Sequence, residues 1–407
     1  MLSALRWRPM ILALVSVATL AVGACGSGSS SSGGGGSVTL GLVTSLSAPG
    51  DYRDGALIKN VADLWVKNAN SNGGIGGRTV TLAVADDGGA PDSGASAATR
   101  VITQQHAVAL LGMWNSSVVL AQMNIAKRYN VPMGVFYSWA DTITGTNLPQ
   151  VYRIGPYNSL IAADMVPYIL NKGYKKVAIV AEDTDYGSGF ASAFKSTQQA
   201  KAGGCTDSLE VQQIPAESQD LSTVLSKFAS ESPQPDVLII ASSYAADDLS
   251  IKQARQVGLK SDILAGWDYP TESDFWTTVG TAGVGVTYPT FYDKSISLTQ
   301  EGKKFSDLYT KAYGTAPVIF QYFEWDNFNV VKAAILNTGS IDPAKLVAAL
   351  PSIQIQGTTD PNLKFSHQAG TVHFNQWENL TMFFKQFTAS GQGDGDAQLV
   401  FTSKPSS

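Results

Sequence analysis

From Val38 onward, apolar positions fall into two alternating rhythms. Val38 to Val43 alternates with period two and predicts a strand, whereas Leu57, Val61, Leu64 and Trp65 mark one face of a helix. Gly73-Gly74-Ile75-Gly76-Gly77 breaks that helix, Thr79 to Ala85 predicts the next strand, and Pro91-Asp92 opens a helix reaching about Gln105. The apolar run Ala107 to Leu111 ends in Gly112 and the polar cluster Asn115-Ser116-Ser117. Val118, Gln122, Ile125 and Ala126 then recur with helical spacing, and Val131 to Phe136 leads into Tyr137-Ser138-Trp139. Strand and helix alternate at intervals of roughly 25–35 residues, the sign of a doubly wound parallel sheet. Loops that follow parallel strands share the carboxyl edge, where open α/β sheets bind ligands. Ser116 and Ser117 are expected to cap the helix there, turning backbone N–H groups toward anionic or carbonyl oxygens.

The pattern pauses at Val151 to Pro156 and restarts. Leu160, Met165, Ile169 and Leu170 predict a helix, and Lys176 to Ala181 a strand ending in Glu182-Asp183-Thr184-Asp185-Tyr186-Gly187. A helix is expected over Gly189 to Ala200, a strand over Ser208 to Gln213, a helix over Leu221 to Glu231 and a strand over Asp236 to Ala241. The last of these ends in Ser242-Ser243-Tyr244. A short strand at Asp262 to Ala265 precedes the loop Gly266-Trp267-Asp268-Tyr269-Pro270. This is a second α/β lobe. After Val284 to Thr287 the chain turns helical, at Leu298 to Tyr313 and Phe320 to Leu336. Asp342-Pro343 caps a third helix with Pro at its first position. Strand character returns between Val372 and Phe401, so the chain is expected to cross between lobes more than once.

The first residues do not belong to this pattern. Arg6 and Arg8 precede an apolar stretch, Met10 to Val22, that is too short for a stable membrane span, and Val22-Gly23-Ala24-Cys25 follows. Residues 1–25 therefore predict a targeting segment. Gly26 to Ser37 holds only glycine and serine, a flexible coil with an r.m.s. reach of about 20 Å.

Composition narrows the function. The chain has 407 residues, 28 Lys+Arg against 33 Asp+Glu, and a formal charge of -5, which gives no basic footprint for nucleic acid. The two cysteines, Cys25 and Cys205, cannot form a disulfide framework or a Cys-based zinc site, and Cys205 predicts a structural thiol. His106, His367 and His373 fall in no metal-ligating or nucleophile pattern. No phosphate-cradling loop or nucleophile elbow occurs, and Gly393-Asp394-Gly395-Asp396 has too few ligands for a calcium loop. No catalysis, cofactor or metal is expected. What stands out is aromatic residues at strand ends in both lobes: Trp114, Tyr137, Trp139, Tyr186, Tyr244, Trp267 and Tyr269. Such rings give rigid contact area and hydrogen-bond donors. Asp268, between Trp267 and Tyr269, suits an ammonium or N–H group, or else a helix cap.

Gly55-Ala56, NSNGGIGGRTVTLAVADD, LLGMWNSS, VAIVAEDTDYGSGF and IKQARQVGLKSDILAG, in that order and spacing, resemble the type I periplasmic binding proteins of ABC importers, specifically the leucine/isoleucine/valine-binding branch. The resemblance covers about Val38 to Phe401. It implies two α/β lobes joined by a three-segment hinge, 38–154 with 288–368 and 155–287 with 369–402, and a ligand held between them. By the same resemblance Ser116 matches the serine that binds the ligand carboxylate, and Tyr137 a position that contacts it through the backbone. Trp139 stands where the family has threonine, and Asn115 where it has a small residue. Tyr186 and Tyr244 match the second-lobe aromatics, and Asp268 the acid that pairs with the ligand's amino group. Trp114 and Trp267 are added as ring contacts. The implied ligand is an amino acid, amide or aromatic acid. Small residues before Cys25 resemble the bacterial lipobox, which implies a lipid-modified Cys25 anchoring a monomer to the outer face of the cell membrane beside ABC permease subunits. A ligand sensor reporting to a signalling partner is the alternative on the same fold.

Overall fold

The computed structural model describes residues 35–403, apart from 203–207, 244–245 and 273. The expected targeting segment, Cys25, most of the Gly/Ser run, Cys205 and Tyr244 lie outside these residues. The first sheet takes β1 (Ser37–Thr44), β2 (Thr79–Asp86), β3 (Ala107–Met113), β4 (Met133–Val135) and β5 (Val151–Arg153). The second takes β6 (Lys176–Glu182), β7 (Ser208–Ile214), β8 (Val237–Ala241), β9 (Asp262–Ala265) and β10 (Thr287–Thr290). A small ribbon, β11 (Gln354–Ile355) with β12 (Leu363–Lys364), precedes β13 (Ser366–His367) and β14 (Phe374–Gln376), which return to the first sheet. The last two strands, β15 (Phe383–Gln386) and β16 (Gln398–Thr402), return to the second.

The two sheets share one plan. The orders are β13-β14-β5-β4-β3-β1-β2 and β16-β15-β10-β9-β8-β6-β7. The first five strands of each pair in parallel; β14 adds to the first sheet in parallel before an antiparallel β13 closes the edge, and antiparallel β15 and β16 close the second. The two most continuous apolar runs lie inside the sheets: every residue of β3 (AVALLGM) and of β8 (VLIIA) is buried. Strands covered by helices on both faces need such runs, and each fully buried Leu, Ile or Val contributes about 1.5–3 kcal/mol.

Several expectations move. The pause at Val151 to Pro156 contains β5, a strand only three residues long and too short to show a period. Asn115, not Ser116 or Ser117, occupies the N-cap of the helix Ser116–Tyr129: Asn115 keeps an extended backbone and Ser116 is already helical, so the helix starts sooner than expected. The chain after Thr287, expected to turn helical, first forms β10 (Thr287–Thr290), just past Gly285, which turns the chain at φ 88°. All of β10 therefore lies in the second sheet, past the expected boundary at 287. The third crossing follows Gln376 instead of residue 368, because β14 pairs with β5.

The helices Gln300–Tyr313 and Ile319–Thr338 pack on the first lobe. The Trp65 indole N–H donates to Asn329 (3.0 Å), its ring lies 5.2 Å from Phe328, and the Tyr313 hydroxyl donates to the Asn60 carbonyl (2.9 Å). Asp342 caps the helix Pro343–Ala349 as expected, accepting from the Ala344 N–H at 3.0 Å. Three crossings join the lobes and run side by side. Gln376 pairs with Arg153 where the first and third meet the first sheet, and Thr290 pairs with Phe383 where the second and third meet the other. One continuous apolar cluster passes from the first lobe through Trp114, Tyr137, Trp139, Tyr186 and Trp267 into the second.

Candidate functional site

The carboxyl ends of the central strands meet between the lobes. From the first lobe come Trp114, Asn115 and Ser116, where β3 turns into its helix, and Tyr137 and Trp139 after β4. From the second come Tyr186 after β6, Ser243 after β8 and Trp267 after β9. These residues line one cavity. Trp114 stacks on Tyr137 at 5.2 Å and meets the edge of Trp267 at 5.7 Å; Trp139 meets Tyr186 edge-on at 5.7 Å. The free space is about 20 Å³, room for roughly one water. A ring-bearing molecule can enter only as the lobes part.

The lobes are latched on either side of the cavity. Ser117 donates to Asp185 (2.7 Å), and the Asp185 N–H donates back to the Ser117 hydroxyl (3.1 Å). Arg53, in the first turn of the helix Tyr52–Ser71, pairs with Asp274 and lies 3.6 Å from Glu272. The third tie is Tyr137, whose hydroxyl donates to Asp268.

A buried arginine shapes the β4 loop. Arg153 donates to the carbonyls of Ser138 (3.1 Å) and Ala140 (3.0 Å), to Thr144 (2.9 Å) and to Gln376 (2.6 Å). Burial lowers its pKa to about 10, so it stays charged at neutral pH. Ser116 completes the loop: its hydroxyl oxygen accepts from the backbone N–H groups of Trp139 (3.1 Å) and Ala140 (3.2 Å). With both lone pairs used, this hydroxyl can meet a ligand only as a donor. The Trp139 indole N–H and the Tyr186 hydroxyl are buried with no hydrogen-bond partner among the described residues. In the second lobe the Trp267 N–H is satisfied by the Ser242 carbonyl (2.6 Å). Glu182 accepts from the Ser243 N–H (2.7 Å) and hydroxyl, and burial pushes its carboxyl up to about 7.

Five expected aromatics, Trp114, Tyr137, Trp139, Tyr186 and Trp267, thus share one cavity with Ser116. Tyr269 and Asp268 do not line it. Asp268 sits behind Tyr137; burial pushes its carboxyl up to about 7, against the Tyr137 hydrogen bond, and one of its oxygens has no partner. It directly precedes the short turn Tyr269–Thr271, but its side chain makes no cap hydrogen bond. Tyr137 contributes its ring and hydroxyl, a role a backbone contact did not suggest. Sequence reasoning missed Ser243 and its support Glu182. Their signal was available: both end strands that flank the centre of the second sheet.

Known proteins resemble this chain over most of its length. A family model described as periplasmic binding protein matches residues 37–391. The chain belongs to that family. Its relatives include a Leu/Ile/Val-binding protein, BraC3, of Rhizobium johnstonii, 29% identical over 313 residues, 76% of this chain and 82% of the relative. A Leu/Ile/Val-binding protein homolog of Brucella melitensis is 26% identical over 316 residues, 76% of this chain and 82% of the relative. Among solved structures, the leucine binding protein LivK of Thermotoga maritima superposes with a TM-score of 0.77 at 22% identity, covering 90% of this chain and 99% of that one. An ABC transporter solute binding protein of R. palustris in complex with benzoate also gives 0.77 at 22% identity, covering 91% and 97%. This periplasmic binding protein therefore has the type I fold of ABC-importer receptors, and its family consists of solute-binding proteins, not enzymes. Among the described residues no helix is long and apolar enough to cross a membrane.

Proposed function

We propose that the chain is the extracytoplasmic solute receptor of an ABC importer, and that it captures an aromatic carboxylate or amide in preference to leucine, isoleucine or valine. The observation that carries this reading is the polar lining of the aromatic cavity. Trp139, Tyr186 and Ser116 offer donors, whereas the acid suited to an ammonium group, Asp268, is turned into a bond with Tyr137. Donors between flat rings favour a carbonyl or carboxylate on a planar body. The open lobes would take up the solute, and the closed form would dock on the permease subunits. Lipid attachment at Cys25, on the flexible run Gly26 to Ser37, would hold the monomer at the outer membrane face. Tyr244, outside the described residues, remains part of the proposed wall.

Calorimetric titration of the purified chain with benzoate, benzamide, phenylalanine and leucine tests the reading. Saturable binding of benzoate or benzamide at least tenfold tighter than leucine supports it. Leucine binding that is tighter, and abolished by Asp268→Ala, overturns it in favour of amino-acid recognition.

A further inference from the structure

A second polar centre lies between the lobes, away from the aromatic cavity. Asp51 and Asp54 come from the first lobe, at the start of the helix Tyr52–Ser71; Glu272 comes from the second, just after the turn Tyr269–Thr271. One carboxylate oxygen from each lies within 4.8 Å of the others. Asp54 is fully buried, Asp51 is buried and Glu272 is partly buried. Among the described residues, no N–H or hydroxyl donor reaches either oxygen of Asp54 or one oxygen of Asp51, whose carboxyls lie against each other. The buried Tyr269 hydroxyl, in the turn that directly precedes Glu272, also has no partner among the described residues. Asp247 and Asp248, buried in the first turn of the helix Ala246–Gln256, add to the negative field at Asp51 and Glu272. The cation paired with the cluster is Arg53, which is shared with the more exposed Asp274.

Buried carboxylates this close repel one another and have lost their water, a cost that protonation or a bound cation relieves. Their ligand atoms are all hard oxygens, with no imidazole or thiolate. That donor set suits calcium or magnesium and disfavours zinc or copper. Three carboxylates can supply up to six oxygens if bidentate, which falls within the coordination number calcium takes. A surface pocket of about 480 Å³ reaches the edge of the cluster at Asp51, beside Arg53 and Asp274.

We infer that Asp51, Asp54 and Glu272 form a site for a divalent, oxygen-seeking cation that bridges the two lobes. Two ligands ride on one lobe and one on the other, so the complete site exists only when the lobes are closed. A bound cation then favours closure, and closure favours the cation, by linkage. The inference does not depend on which solute occupies the aromatic cavity.

The test uses the full chain, stripped with EDTA, dialysed and titrated calorimetrically with calcium chloride and then magnesium chloride, without any organic solute. One saturable site per chain is expected, with a rise in melting temperature. Glu272→Gln and Asp54→Asn should each weaken binding at least tenfold, while Asp63→Asn, an exposed pair with Lys59, leaves it unchanged. Circular dichroism establishes that each variant is folded, and Glu272→Gln decides the matter if the fully buried Asp54→Asn does not fold. The absence of saturable binding to the folded chain overturns the inference, as does binding that Glu272→Gln leaves intact.

Discussion

Tyr137 and Asp268 belong to different lobes and share one buried hydrogen bond, the phenol donating to the carboxylate. Burial and the neighbouring acid hold the phenol far above its ordinary pKa, so it keeps its proton. Tyr137→Phe would strip Asp268 of its donor and leave a buried carboxyl without a partner. The expected cost is about 1–3 kcal/mol of closed-state stability, with a further rise in the Asp268 pKa. Urea unfolding of the variant checks the first effect. Unchanged stability would mean that the bond contributes nothing net.

The protein should be more stable in mild acid than in mild base. Burial pushes Asp268 up to about 7, and Glu324 and Asp326 up to about 8. Each is thus raised above its unfolded value, so between pH 4 and 8 the folded chain holds more protons than the unfolded one. The stability these groups contribute is fully present near pH 4 and is lost as pH rises through about 7 and 8, at up to about 1.4 kcal/mol per pH unit per group. A melting temperature several degrees lower at pH 8 than at pH 5.5 is expected. A rise over that interval would contradict the assignment.

Trp139→Thr should change selectivity more than stability. It removes a wall of the cavity and the unpartnered indole N–H, and it introduces a small hydroxyl beside Ser116. Affinity for benzoate or benzamide should fall at least tenfold while leucine gains relative to them. Parallel calorimetric titrations read both. Equal loss for every solute would reduce Trp139 to a structural role.

Gly55 should tolerate no side chain. A Cβ there would sit 1.6 Å from the Ser45 carbonyl oxygen, inside the backbone of the loop that leaves β1. Gly55→Ala must displace that loop and with it Asp51, Arg53 and Asp54. A severe loss of soluble, folded protein is expected. A variant that melts within a degree of the parent would show that the loop yields freely. Ser117→Ala is a useful contrast: it removes an exposed latch to Asp185 and should cost less than about 1 kcal/mol.

The sheets were legible because their central strands carry buried apolar runs, and the aromatic wall was legible because Trp114, Tyr137, Trp139, Tyr186 and Trp267 follow those strands directly. Short strands were not: β5 and β14 hold three residues each, too few for any period. Asp268 was read as facing a ligand because rings flank it, of which only Trp267 lines the cavity; its direction is set by Tyr137, 131 residues earlier in the chain. The acid cluster was invisible for the same reason. Asp51 and Asp54 look like ordinary residues at a helix start until the second lobe brings Glu272 beside them.

The three crossings lie next to one another, tied through Arg153 with Gln376 and Thr290 with Phe383. A single tether would let one lobe swing, twist and slide against the other. Three tethers in a row suppress most of these freedoms and leave bending about the line they define. Capture is thereby reduced to one mechanical coordinate. In the proposed receptor role, a docking partner would read occupancy from that angle alone, without touching whatever the cleft contains.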